Sequence, residues 1–268
     1  VATYGTGLGG IVGESLARLY LTGGLVMEGP GGGFGEADLP GPQARVALVA
    51  LVVERRPISH DALADIVWDG DPPVQWKSAL AALVSKIRSL ITGIGMDGSA
   101  IVVSAGGSYG FAAPPETWID LEHAAAALDR AEGALRHGRL EDAVQEATVA
   151  ASIFRRPLLA GAECSWLDAA RERQRDARHR ALVTLASGWQ RLGDHQLASV
   201  VAETAVTTDP YRETGHRLLI EAHRDRGDSG AALRALQRCE QIFTEELGVH
   251  LSPETVALAD QVRLPATR

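Results

Sequence analysis

The chain has 268 residues, a net charge of −8, 46% hydrophobic and 22% charged residues, which is room for two domains at roughly 100–200 residues each and the balance of an ordinary soluble globular protein. Its two cysteines, Cys164 and Cys239, exclude a disulfide framework and point to a reducing cytoplasm. The longest apolar stretch, Val46 to Val53, falls short of the about 20 residues that cross a bilayer, so no membrane partner is expected. The opening Val1-Ala2-Thr3-Tyr4 has neither the basic region of a signal peptide nor an initiator Met, and so reads as processed or as part of something longer. Charge also limits one function. Residues 1–114 carry seven Lys and Arg against ten Asp and Glu, and residues 115–268 nineteen against twenty-four, so neither half is basic. Any contact with DNA must come from a local patch.

Residues 1–18 read as a flexible leader. The Gly5–Gly10 run has the look of a phosphate loop, but no hydrophobic strand precedes it and no acidic residue follows in a βαβ context. From Leu19 to Gly35, β-formers alternate with glycine-rich turns, which predicts a small antiparallel sheet. Gln43 to Val53 has apolar residues at helical spacing. A second helix starts at Ser59, a good N-cap with Asp61 in the first turn, and closes at Trp68. Asp71 and Pro72 suit the cap and first turn of a third helix. Its apolar stripe is Leu80, Leu83, Val84, Ile87, Leu90 and Ile91, with Trp76 a turn earlier, and both Trp68 and Trp76 are expected in the core. The rest of that helix holds Lys77, Ser78, Ala81, Ala82, Ser85, Lys86, Arg88 and Ser89, and no carboxylate lies between Val74 and Ile94. Strand character then returns on both sides of Ala105-Gly106-Gly107-Ser108, a hairpin. Sheet, three helices and terminal hairpin make residues 19–114 a winged helix-turn-helix of the response-regulator type, with Pro114-Pro115 as its boundary.

Residues 115–268 read as all-α. Gly193-Asp194 and Gly227-Asp228 are each flanked by amphipathic helices and lie 34 residues apart, the tetratricopeptide period. Gly138 to Ala143 is a similar turn out of phase, and one longer helix runs from Trp166 to about Arg191. Stacked hairpins of this kind bury a continuous core and offer a surface suited to a peptide or small effector. The arginines from Arg171 to Arg180 interleave with Asp168, Glu172 and Asp176, as in an exposed helix laced with ion pairs. The eight histidines show no metal spacing and read as helix-surface residues. No nucleophile, base and orienter form a set, so no enzyme, metal or cofactor is expected. The fold class is thus mainly α with a small β component, a winged unit before a tetratricopeptide-like one.

Several segments carry a family resemblance. They are Arg55-Arg56-Pro57-Ile58-Ser59 with Leu63 and Trp68, Asp71-Pro72-Pro73 through Ser85-Lys86-Ile87-Arg88, and Gly106-Gly107-Ser108-Tyr109-Gly110-Phe111. The second half adds Leu158-Leu159, Trp166, Asp209-Pro210-Tyr211-Arg212-Glu213, Ala231-Ala232-Leu233, Glu245-Glu246-Leu247-Gly248 and Ser252-Pro253-Glu254-Thr255. Over roughly residues 19–263 the chain resembles the actinobacterial antibiotic-regulatory-protein family of transcriptional activators, in which a winged helix precedes a bacterial transcriptional activation domain.

The resemblance implies a homodimer on direct repeats of double-stranded promoter DNA that recruits RNA polymerase, in the cytoplasm and on the nucleoid. Lys77, Ser78, Ala81, Ser85, Lys86 and Arg88 would lie in the major groove and Ser108 on the wing. The loop Trp68, Asp69, Gly70 and Asp71 would face polymerase. The chain departs from the pattern in its wing, where Ser104 to Ser108 carry no charge, and Ala81 and Ala82 donate no hydrogen bonds to bases. Two functions therefore stay open: a promoter-binding activator, and a regulatory interaction module whose winged domain has lost its DNA affinity.

Overall fold

Alternation begins at Ala17, where Leu19 and Leu21 are wholly buried and Arg18 is exposed, the period-two pattern of a half-buried strand. The structure, a computed structural model, describes residues 17–263. The Gly5–Gly10 run and the expected leader up to residue 16 lie outside the described residues. Arg18, expected in the leader, already belongs to a sheet, and the Ala17 carbonyl before it accepts from the Trp118 N–H. Two compact units result. The first runs to Asp120 and takes in Leu158–Ala169; the second is Leu121–Pro157 and the chain from Ala170 on.

In the first unit β1 (Arg18–Tyr20), β2 (Val26–Gly29) and β3 (Gly32–Gly35) form an antiparallel run. Helix α1 (Gly41–Glu54) follows a short 3-10 turn, and Ala44 and Val46 through Val52 are buried, so it is apolar all round and sits in the middle of the unit. Then come β4 (Ile58–Ser59), α2 (His60–Trp68), α3 (Trp76–Gly93), α4 (Gly98–Ile101), β5 (Val102–Ala105), β6 (Ser108–Phe111) and β7 (Trp118–Ile119). Ser59 caps α2 as expected, its Oγ accepting from Ala62 N at 3.2 Å. The third helix starts at Trp76 and not at Pro72. Pro73 disfavours helical geometry at Pro72, so the chain stays extended until a turn in which the Trp76 N–H reaches the Pro73 carbonyl. The sheets run β3-β2-β1-β7 and β4-β6-β5, with β7 parallel to β1.

That last pairing carries the first unit past the expected boundary at Pro114-Pro115. Next to β7, Asp120 is fully buried, and its carboxylate accepts from Leu21 N, Thr22 N and Thr22 Oγ1 at 2.7–3.1 Å. The segment Leu158–Ala169 then returns to the first unit. Leu159 N donates to the Leu21 carbonyl at 2.9 Å, and the Trp166 indole N–H donates to Glu54 Oε1 at 2.8 Å.

The second unit is helical. It holds α5 (Asp120–Arg136) beyond its first residue, α6 (Leu140–Phe154), α7 (Ser165–Leu192) from Ala170, α8 (His195–Thr208), α9 (Glu213–Asp225), α10 (Ser229–Glu240) and α11 (Pro253–Arg263), with a π-helical stretch at Gln241–Glu246. The turns fall where the sequence places them, and Asp194 and Asp228 cap in the same way, accepting from Leu197 N and Ala231 N at 2.9 Å. Alanines let the helices approach closely: Ala186, Ala202, Ala235 and Ala259 share a cluster with Leu219, Ile220, Leu236, Phe243 and Leu258. Two arginines of the run are ion-paired, Arg175 with Glu172 on its own helix and Arg180 with Glu132 on α5. Two histidines depart from expectation. His216 is fully buried and His179 nearly so. His216 stands edge-on to Phe243 and its Nε2 meets the Pro210 carbonyl at 2.9 Å, so it belongs to the core.

Candidate nucleic-acid interface

Helix α3 divides into two faces. Leu80, Val84, Ile87 and Ile91 are buried, with Leu83 and Leu90 half-buried beside them. Opposite, Lys77, Ser78, Ala81, Ala82, Ser85, Lys86 and Ser89 are all exposed, so two i, i+4 rows of small residues and two lysines share one solvent face. Ser78 Oγ donates to the Gln75 carbonyl at 2.9 Å, supporting a helix start that has no side-chain N-cap. Trp68 and Trp76, expected in the core, are half-buried. The Lys77 ammonium lies 5.4 Å from the centre of the Trp76 ring, so that tryptophan is a cation platform at the rim.

Arg88 is on the same side of α3 but half-buried, and its Nε donates to the Val102 carbonyl at 2.8 Å. This ties α3 to β5 and commits part of the guanidinium. The hairpin itself turns at Gly106 and Gly107, whose φ of 56° and 74° is the left-handed geometry a two-residue hairpin loop needs. The His60 N–H holds the Gly107 carbonyl at 3.0 Å, and the His60 ring stacks on Tyr109 with centroids 4.4 Å apart. Ser108 is half-buried opposite Ser59. Arg56 lies toward the end of the hairpin away from this tip, with a side chain that is 80% exposed and pairs with Glu54 at 3.5 Å. Pro57, the next residue, packs on Gly110 of β6. In the sequence this cation stands in Arg55-Arg56, a segment that carries the family resemblance.

The loop after α2 is built by Asp69 and Gly70, both left-handed with φ of 51° and 82°. Their N–H groups return to the Asp65 carbonyl, and Asp71 N donates to the Trp68 carbonyl. Asp69 Oδ1 accepts from the Ser165 N–H at 2.9 Å and so caps the start of α7. Gly70 and Asp71 remain exposed. Among the described residues no group of three His, Cys, Asp or Glu could hold a metal ion, and no helix is long and apolar enough to cross a membrane.

A winged helix-turn-helix followed by helical hairpins defines a two-part regulator architecture. The chain belongs to the bacterial transcriptional activator domain family, whose model matches residues 119–263, in the antibiotic-regulatory-protein arrangement. It is similar to the transcriptional regulatory protein EmbR of Mycobacterium tuberculosis, 27% identical over 231 residues, which are 82% of this chain and 57% of that protein. The transcriptional regulatory protein MoaR1 of M. tuberculosis is 25% identical over 224 residues, covering 82% and 72%. The regulatory protein AfsR of Streptomyces coelicolor is 28% identical over 224 residues, covering 82% and 22%. The solved structure of M. tuberculosis EmbR in complex with a low affinity phosphopeptide superposes with a TM-score of 0.84 at 25% identity, over 93% of this chain and 65% of that one. The chain thus spans a little over half of EmbR's length.

Proposed function

We propose that this protein is a sequence-specific DNA-binding transcription regulator, an activator that binds promoter repeats as a dimer and recruits RNA polymerase. The observation that carries this is the exposed, acid-free face of α3, with Lys77, Ser78, Ala81, Ser85 and Lys86 side by side in a chain of net charge −8. A helix after a short turn, slim enough to enter the major groove, is what the helix-turn-helix motif presents to base edges. Ala81 and Ala82 fit thymine methyls, the lysines fit phosphates, and the uncharged wing carries Ser108. Of the polymerase-facing loop, Asp69 acts by fixing its shape, while Gly70, Asp71 and the edge of Trp68 supply the surface. Bound to promoters, the protein would reside on the nucleoid.

Fluorescence anisotropy with a duplex from the promoter upstream of its own gene, at two salt concentrations, tests the proposal. Lys86→Ala should weaken binding to all sequences alike and lower the salt slope by about 0.9, the loss of one phosphate contact. Absence of salt-dependent binding by the wild type would overturn it.

A second reading has its own support in the charge-free hairpin tip and in the Arg88 Nε bonded to Val102. On that reading the winged unit is structural and the helical unit binds a peptide or small effector. It forecasts that Lys77 and Lys86 substitutions change no measured activity.

A further inference from the structure

The second unit contains a cavity of about 370 Å³ where α8, α9 and α10 meet. That is the small end of the range of small-ligand sites, roughly 300–1,000 Å³. Leu219 and Ala235 are buried apolar parts of its lining. The polar lining is Glu203, His223, Arg234 and Arg238. Arg238 uses both terminal nitrogens on the two Glu203 oxygens, at 2.8 and 2.9 Å, which neutralises that carboxylate. Its Nε is left over, buried and without a hydrogen-bond partner. The Nδ1 of His223 is in the same condition. Arg234 is exposed and makes no ion pair among the described residues.

Buried polar nitrogens are nearly always partnered, and both of these belong to residues that line the cavity, so unmet hydrogen-bonding capacity gathers at this one place. The charge count points the same way. With Glu203 spent on Arg238, the lining keeps one uncompensated cation, Arg234, within a chain that is acidic overall. We propose that this cavity is a binding site for a small anion, a carboxylate- or phosphate-bearing metabolite held by Arg234, with Arg238 and His223 lining the same cavity. The helical unit then senses an effector, whether or not α3 binds DNA. Burial, with Arg226 and Arg234 adding to it against Asp228 and Glu203, holds His223 below the ordinary histidine range. A bound anion reverses part of that effect by favouring the charged ring.

Isothermal titration calorimetry of the full chain with sodium phosphate, and separately with succinate, in chloride buffer provides the test. At least one should bind at a single saturable site with a Kd below about 1 mM. Phosphate alone marks a phosphoryl ligand, succinate alone a carboxylate one, and both a site that reads charge. Arg234→Ala, an exposed position whose loss leaves the unfolding midpoint in place, should weaken binding at least tenfold, and His223→Gln should weaken it as well. The His223 ring resonances should shift on saturation. No saturable binding of either anion, or binding that Arg234→Ala leaves unchanged, overturns the proposal.

Discussion

At the scale of single residues, the strongest commitments are polar groups buried far from any obvious site. Asp120 accepts three donors from Leu21 and Thr22 in a place without solvent. Asp120→Ala strands those donors, and each buried unsatisfied group costs about 1–3 kcal/mol, so urea denaturation should show a loss of at least ~3 kcal/mol. Asp120→Asn keeps one acceptor oxygen and should cost less. A loss below ~1 kcal/mol for the alanine variant would show that the donors find other partners. Arg88 and Lys86 separate two roles that composition alone merges. Arg88→Ala removes the donor to the buried Val102 carbonyl and should lower stability by about 1–3 kcal/mol along with DNA affinity. Lys86→Ala, on an open face, should leave stability within about 0.5 kcal/mol and change affinity alone. Equal stability of the two variants would contradict the anchoring role of Arg88.

At the scale of elements, α4 was not foreseen, because a four-residue helix leaves too little pattern to read. Its position depends on Gly98. A Cβ there would stand 2.1 Å from the Arg88 carbonyl oxygen, a backbone atom that cannot swing away. Gly98→Ala must therefore push α4 off α3, at about 1–3 kcal/mol or more, and disturb the β5 strand that α4 leads into. Gly93→Ala meets nothing within 4 Å and should be neutral or slightly stabilising. Thermal unfolding of the two variants distinguishes them, and similar midpoints would refute the packing argument. The longer elements were legible because period and punctuation agree. The stripe from Leu80 to Ile91, the Ser59 cap, the Gly106-Gly107 turn and the paired Gly-Asp turns at Gly193 and Gly227 all stand where they were expected. The sequence points to an α3 start at Pro72 because Pro72 alone is a good first residue, while Pro73 behind it disfavours that geometry. On the site, the exposed face of α3 could be read, since exposure follows from helical phase. The engagement of Arg88 with Val102 and of Asp69 with Ser165 could not, because both are long in sequence or tertiary in origin and leave no periodic trace.

At the scale of the whole molecule, charge and buried histidine act in opposite directions as pH falls. The net charge is −8 and the isoelectric point near 5.5, so moving from neutral toward that point relieves self-repulsion and by itself favours the folded state. The histidines oppose this. His179, His216 and His223, all in the second unit, are held below the ordinary value of 6.5, each chiefly by burial. For His216 the physical cause is plain. Its Nε2 serves the Pro210 carbonyl, and its Nδ1 is buried with no acceptor, so a second proton would have nothing to bond. Arg238 adds repulsion, while Glu203 and Glu213 offset part of it. A histidine pKa depressed by folding means that below 6.5 the unfolded chain takes up protons that the folded unit refuses. The stabilisation from the neutral rings is therefore complete above 6.5 and is lost as pH falls below it. The urea midpoint of the helical unit, followed by circular dichroism, should be lower at pH 6.0 than at pH 7.5 despite the smaller net charge. His216→Gln keeps a donor near the Pro210 carbonyl but cannot take up a proton, so its midpoint should change less between the two pH values, even if it starts lower. A wild-type midpoint that rises toward the isoelectric point would show that net charge outweighs the buried rings, and a glutamine variant with the full wild-type difference would show that His216 is not their source.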